Sequence, residues 1–202
     1  MPCSKCHTQT FYREPEVLFF DTENSPNEGR YYGSKYETRI NKVTKPWEFL
    51  MFSYALGDGK VQVVQSWNER ELVQKMQQLI DQADIVIAHN LNFDMGHFYM
   101  KCIKYGIPVP REPKRVCTLK MYRKLCKGGF ESNSLKDIAH ALGLPEKKEL
   151  PRGFWDDYID QRTDKLVRQA KFYAKGDIVT LRAIYYAIAP FFPPYKIKQF
   201  KS

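Results

Sequence analysis

Short apolar runs alternate with amphipathic stretches along most of this chain, and each change of period marks an element. Glu16 to Asp21 contains the run Val17-Leu18-Phe19-Phe20, which predicts a buried strand. Phe49–Leu56 and Lys60–Trp67 flank Gly57-Asp58-Gly59, a hairpin turn, so these three strands predict a meander. Asn68–Gln82 places Leu72, Met76, Leu79 and Ile80 on one helical face. Ile85–Ala88 is a further strand, and Asn92–Tyr105 a helix stopped by Gly106 and Pro108. Arg115–Leu119 predicts a fifth strand, while Ser134-Leu135-Lys136-Asp137 opens a helix through a Ser-x-x-Asp cap. A Pro- and Lys-rich loop over 143–153 precedes a long helix from about Thr163 to Ala189. Residues 24–46, rich in Asn, Gly, Tyr and charge, read as an exposed excursion. Strands followed by alternating strand and helix give an α/β class, a mixed sheet flanked by helices.

Composition narrows the setting. At 202 residues, 43% hydrophobic and 14% aromatic, the chain can bury a substantial core. The expected organisation is an irregular segment over 1–15, one domain over 16–190 and a basic tail over 191–202. No stretch approaches the roughly 20 apolar residues that span a bilayer, and Met1–His7 lacks a secretory core. A cytoplasmic or otherwise intracellular protein with no membrane partner is the expectation. Five scattered cysteines argue against a disulfide framework. The net charge of +9 favours a polyanionic partner, nucleic acid first.

Four carboxylates interrupt the apolar pattern. Asp21 and Glu23 follow the first strand's apolar run and, two apart, share one face of it. Alternatively they are a solvated strand end. Asp94 closes the string Asn90-Leu91-Asn92-Phe93-Asp94 in the first turn of a helix, where the macrodipole also favours an acid as a cap. Asp177 is the one charge on the stripe Leu166, Ala170, Tyr173, Asp177, Leu181, Ile184 and Ile188, one turn after the phenol of Tyr173. A hydrogen bond to a neighbouring strand would also account for it. An unpaired buried charge is costly, and divalent cations shared among the four would remove that cost.

These strings resemble the DEDD superfamily of 3′→5′ exonucleases in its tyrosine branch, which includes polymerase proofreading domains and ribonuclease D-like enzymes. Phe20-Asp21-Thr22-Glu23 resembles the first motif, Asn90 to Asp94 the second and Tyr173-Ala174-Lys175-Gly176-Asp177 the third. The histidine branch needs a His at position 172, which is Phe. The resemblance covers about residues 16–189 and is to a free-standing enzyme. It implies a ribonuclease H-like mixed, mostly five-stranded sheet with helices on both faces. It further implies that Asp21, Glu23, Asp94 and Asp177 hold two Mg²⁺ or Mn²⁺ ions and that Tyr173 orients the attacking water. The implied activity releases nucleoside 5′-monophosphates from single-stranded 3′ ends, DNA favoured over RNA. An RNA-trimming enzyme of the ribonuclease D type and a non-catalytic nucleic-acid-binding module are the alternatives.

Weaker candidates surround these. Thr22, Asn90 and Phe93 lie inside the motifs, and Asn90 either touches the terminal nucleotide or braces its turn. Tyr31, Tyr32 and Tyr36 either stack on bases or pack back on the core. Arg111, Lys114, Arg115, Lys124 and Lys127 are phosphate-tracking candidates, with Lys147, Lys148 and Arg152 in the loop. His89 and His97 read as structural. Cys3 and Cys6, with His7, offer at most three of the four ligands of a structural zinc site. The tail from Lys196 to Lys201 suits either solvent or a replication or repair partner.

Overall fold

The computed structural model describes residues 13–30, 42–126, 132–145 and 149–192. Its centre is a five-stranded sheet in the order β5-β4-β1-β6-β7, formed by β1 (Val17–Asn24), β4 (Phe49–Leu56), β5 (Gln62–Gln65), β6 (Ile85–Ala88) and β7 (Lys114–Cys117). β4 runs antiparallel to both β1 and β5, while β6 is parallel to β1 and β7 parallel to β6. β1, β5, β6 and β7 therefore end at the same edge of the sheet, where ligands of open α/β sheets bind. The mixed five-stranded sheet and its meander are as the periodicity predicts. The turn between β4 and β5 uses Gly57 at φ +48°, which a residue with a Cβ rarely adopts.

Pleat alternation assigns the two faces. The Phe19 ring lies 5.5 Å from that of Tyr185 on α6 (Asp164–Ile188), so Phe19, Asp21 and Glu23 face that helix. Thr22 points the other way and meets α2 (Leu91–Tyr105), which packs beside α1 (Glu69–Gln82). α6 lies along β1, β4 and β5 through the predicted stripe, in which Ala170, Asp177, Leu181, Ile184 and Ile188 are buried and Leu166 and Tyr173 half-buried. The helix starts where Thr163 accepts a hydrogen bond from the Leu166 amide. The α4 cap (Leu135–Ala141) is also as read: Ser134 Oγ accepts from the Asp137 amide at 3.1 Å.

Five elements depart from the sequence reading. The excursion over 24–46 carries a small exposed sheet of β2 (Glu28–Arg30) and β3 (Lys42–Lys45). β7 stops at Cys117, and Leu119 belongs to α3 (Thr118–Leu125). α5 (Phe154–Gln161) precedes the long helix. Both of these eight-residue helices lack a side-chain N-cap, so the local start signal is missing and tertiary packing holds them. Phe154 and Tyr158 of α5 join Leu50, Met51, Ala170 and Ala174 in a second core cluster over β4. No helix among the described residues is long and apolar enough to cross a membrane.

One polar cluster joins α1, α2 and β4. Glu69 accepts from the Phe49 amide at 2.6 Å and from Lys104 at 3.0 Å, and also from the Tyr105 hydroxyl. Its other partner is buried Lys101 at 2.5 Å, whose ammonium donates to the Trp47 carbonyl and lies 3.7 Å over the Trp47 ring. Burial alone would raise the Glu69 carboxyl, but Lys101, Tyr105, the Phe49 amide and Lys104 hold it down at about 2. Breaking such a pair from one side leaves a buried charge uncompensated. Glu69→Gln should lower unfolding stability by roughly 3 kcal/mol at neutral pH, read by urea denaturation. A folded-state pKa below the usual 4.5 contributes stability above that value and loses it as pH falls toward about 2. The gap between wild type and Glu69→Gln should therefore close across that acid window; a gap constant with pH would sever the cluster from folding.

Candidate active site

β1 is the central strand of the sheet, and its last turns carry two acids on the α6 side. Asp21 and Glu23 are half-buried, and Asp177 reaches them from α6 with 2% exposure. Carboxylate oxygens of Asp21, Glu23 and Asp177 all lie within 4.8 Å of one another. At an effective dielectric of about 20, two unit charges at that separation repel by roughly 3–4 kcal/mol. Three such acids on rigid elements suit a hard divalent cation, whose preferred ligands are carboxylate oxygens. The donor set thus fits the metal site implied by the sequence resemblance.

Asp94 stands apart from that close group. It sits in the first turn of α2 with 3% exposure and accepts from Thr22 Oγ1 at 2.6 Å. Because Thr22 alternates with Asp21 and Glu23, it holds Asp94 from the opposite face of β1. Burial pushes the Asp94 carboxyl up to about 7, against the lowering pull of the Thr22 hydroxyl and of the Asp94 and Thr22 backbones. Thr22, a candidate substrate contact in the sequence, has its hydroxyl on Asp94 instead. Asn90 is exposed in the left-handed region at φ 59°, a conformation Asn tolerates, and its carbonyl accepts from the Phe93 amide. Its side chain makes no capping bond, so the backbone of Asn90 braces this turn. Phe93 projects beside Asp94 with 51% of its surface exposed.

Tyr173 is half-buried, one turn before Asp177, with its ring edge-on to Trp155 at 6.2 Å. Both line a cavity of about 620 Å³ that also includes Pro26, Lys136, Arg152 and Phe154. Trp155 was not singled out from the sequence. The i, i+4 pair Phe154 and Tyr158 after Pro151 and Gly153 is the signal that would have found its helix.

Several basic candidates are engaged elsewhere. The Arg111 guanidinium bonds to Asp84 and to the carbonyls of Asp81 and Ala83, which makes it a brace rather than a phosphate contact. Arg115 pairs with Glu112 and donates to the Tyr99 hydroxyl. His89 is structural as read, its ring set between Thr118 Oγ1 and the Asn133 carbonyl. Tyr31, Tyr32, Tyr36, Cys3, Cys6, His7, Lys127, Lys147, Lys148 and the tail from residue 193 lie outside the described residues.

Comparison with known proteins bears on the architecture. A family model described as RNase_T, exonuclease, matches residues 58–149, a span that contains Asp94. No curated protein matches the chain. A family B DNA polymerase from the hyperthermophilic archaeon Pyrobaculum calidifontis superposes with a TM-score of 0.65 at 15% identity, over 89% of this chain and 25% of the polymerase. Brucella melitensis NrnC bound to pGG superposes with a TM-score of 0.56 at 18% identity, over 88% of this chain and 73% of NrnC. The chain thus spans about a quarter of the polymerase. Likeness at these identities speaks to architecture, and the chain has a ribonuclease H-like α/β fold.

Proposed function

We propose that this chain is a metal-dependent 3′→5′ exonuclease of the tyrosine branch, releasing nucleoside 5′-monophosphates from single-stranded ends. The observation that carries this reading is the convergence of Asp21, Glu23 and Asp177 within 4.8 Å, with Asp94 buried across the same strand. The exonuclease model over residues 58–149 supports it. Asp21, Glu23, Asp94 and Asp177 would hold two Mg²⁺ or Mn²⁺ ions. Such ions, when bound, lower the pKa of a coordinated water and stabilise the departing oxygen of an in-line displacement. The remaining work belongs to the chain. Tyr173, through its hydroxyl, orients the attacking water, and the walls of its cavity seat the terminal nucleotide. Thr22 fixes the rotamer of Asp94, as outer partners of metal ligands do. DNA is the favoured substrate, and RNA, which the same carboxylates would serve, is the alternative the assay separates.

The deciding experiment offers 5′-labelled single-stranded DNA and RNA to the protein with Mg²⁺, Mn²⁺ or chelator. The expected result is a ladder shortening from the 3′ end, abolished by chelator and stronger on DNA. Intact strands in every lane would overturn the reading. Asp177→Asn or Asp94→Asn should cut turnover at least about 1,000-fold, beyond the 10–100-fold cost of losing an outer partner. Thr22→Val should fall within that 10–100-fold range, with the melting temperature little changed. Tyr173→Phe should cost about 10- to 100-fold in kcat, less than either carboxylate change; unchanged kcat would return Tyr173 to a packing role.

A further inference from the structure

A second set of rings and cations lies at the same edge of the sheet. Phe93, next to Asp94, has its ring 4.1 Å from that of His97, and His97 meets Trp47 edge-on at 4.5 Å. Trp47 in turn lines a cavity of about 560 Å³ with Lys45, Trp67, Lys104, Tyr105 and Arg162. A chain of ring contacts therefore leads from the helix turn of Asp94 to this cavity. Its other end is walled by Trp67, 41% exposed, with the Arg162 guanidinium 4.6 Å over its ring.

Register places the cavity beside the carboxylates. Glu23 pairs with Met51, and Met51 with Gln65, so the end of β5 lies two strands, roughly 10 Å, from Glu23. Ser66 and Trp67 follow directly on β5. Two residues beyond Glu23, Ser25 bonds through its amide to the Glu48 carbonyl and through its hydroxyl to the Glu48 amide, which ties β1 to the cavity rim. Two acids lie on the lining: Glu48, and Glu69, whose charge is met by Lys101 and Lys104. Lys45 pairs with Glu28 and Lys104 with Glu69, whereas the Arg162 guanidinium lies over Trp67, whose ring also meets that of Tyr158 at 5.0 Å. A guanidinium stacked on an indole at the mouth of a cavity can hold an unpaired nucleotide, base against the planar stack and phosphate on the cation.

We infer that this cavity, reached along Phe93, His97 and Trp47, binds a second nucleotide of the substrate strand, so that affinity rises with strand length. The inference deepens the exonuclease reading and rests on it for the strand's cleaved end. Trp67 and Arg162 are the residues that test it, because neither belongs to the carboxylate cluster.

Fluorescence anisotropy with labelled oligothymidylates at low salt, chelator present, reads the effect directly. A decanucleotide should bind wild type at least about tenfold tighter than thymidine 5′-monophosphate, read as a competitor of the labelled strand. Trp67→Ala should lose roughly tenfold on the decanucleotide and less than twofold on the mononucleotide. Arg162→Gln, a surface change, should move the same way and decides the matter if Trp67→Ala fails to fold. Equal losses at both lengths, or none, would overturn the inference. A wild type that cleaves normally while both variants bind like wild type leaves the nuclease standing and removes the second site. A wild type that never cleaves, with the length-dependent loss intact, removes the nuclease and keeps the strand-binding track.

Discussion

Repulsion among three carboxylates is the constraint around which this fold is arranged. Asp21, Glu23 and Asp177 bring carboxylate oxygens within 4.8 Å of one another, on backbones that the core holds in place. β1 is clamped by β4 on one side and β6 on the other. α6 is anchored by buried Ile178, Leu181, Ile184 and Ile188, one to three turns beyond Asp177. The apolar core thus supplies the free energy that holds a charge cluster ready for cations, as sites that bind metals commonly require.

A second polar cluster solves the opposite problem. Glu69 and Lys101 are paired, hydrogen-bonded and covered by Trp47. That cluster is internally satisfied, so it stabilises the junction of α1, α2 and β4. It also fixes Trp47 and Tyr105 in the wall of the neighbouring cavity. A structural ion pair and a strand-binding surface therefore share one set of side chains.

The two faces of β1 divide the site's labour. Side chains on the α6 face converge directly, whereas the α2 face contributes Asp94 through Thr22. One residue of alternation separates the two faces, which is why the threonine between two acids bonds to Asp94. Trp155 and Tyr173 close the α6 side, and Phe93 with His97 the α2 side.

Much of this was legible in the chain because it is periodic. The 2.0 and 3.6 periods mark the sheet's five strands and the long helix, and a lone Asp on an apolar stripe marks Asp177. The cap at Ser134 is local chemistry, written within four residues. Helix α3 was not legible and α5 left only its Phe154–Tyr158 pair as a signal, because eight residues without a side-chain cap form only against a packed neighbour. Nor could the chain assign its cations: Arg111 and Arg162 look alike in sequence, yet one braces Asp84 and the other lies over Trp67. The sequence by itself determined the five strands of the main sheet, the long helices and which acids they carry, since those follow from spacing along a single strand or helix. Only the tertiary structure decided which three acids touch, which threonine holds the fourth and where rings and cations gather, because those are distances between segments far apart in the chain.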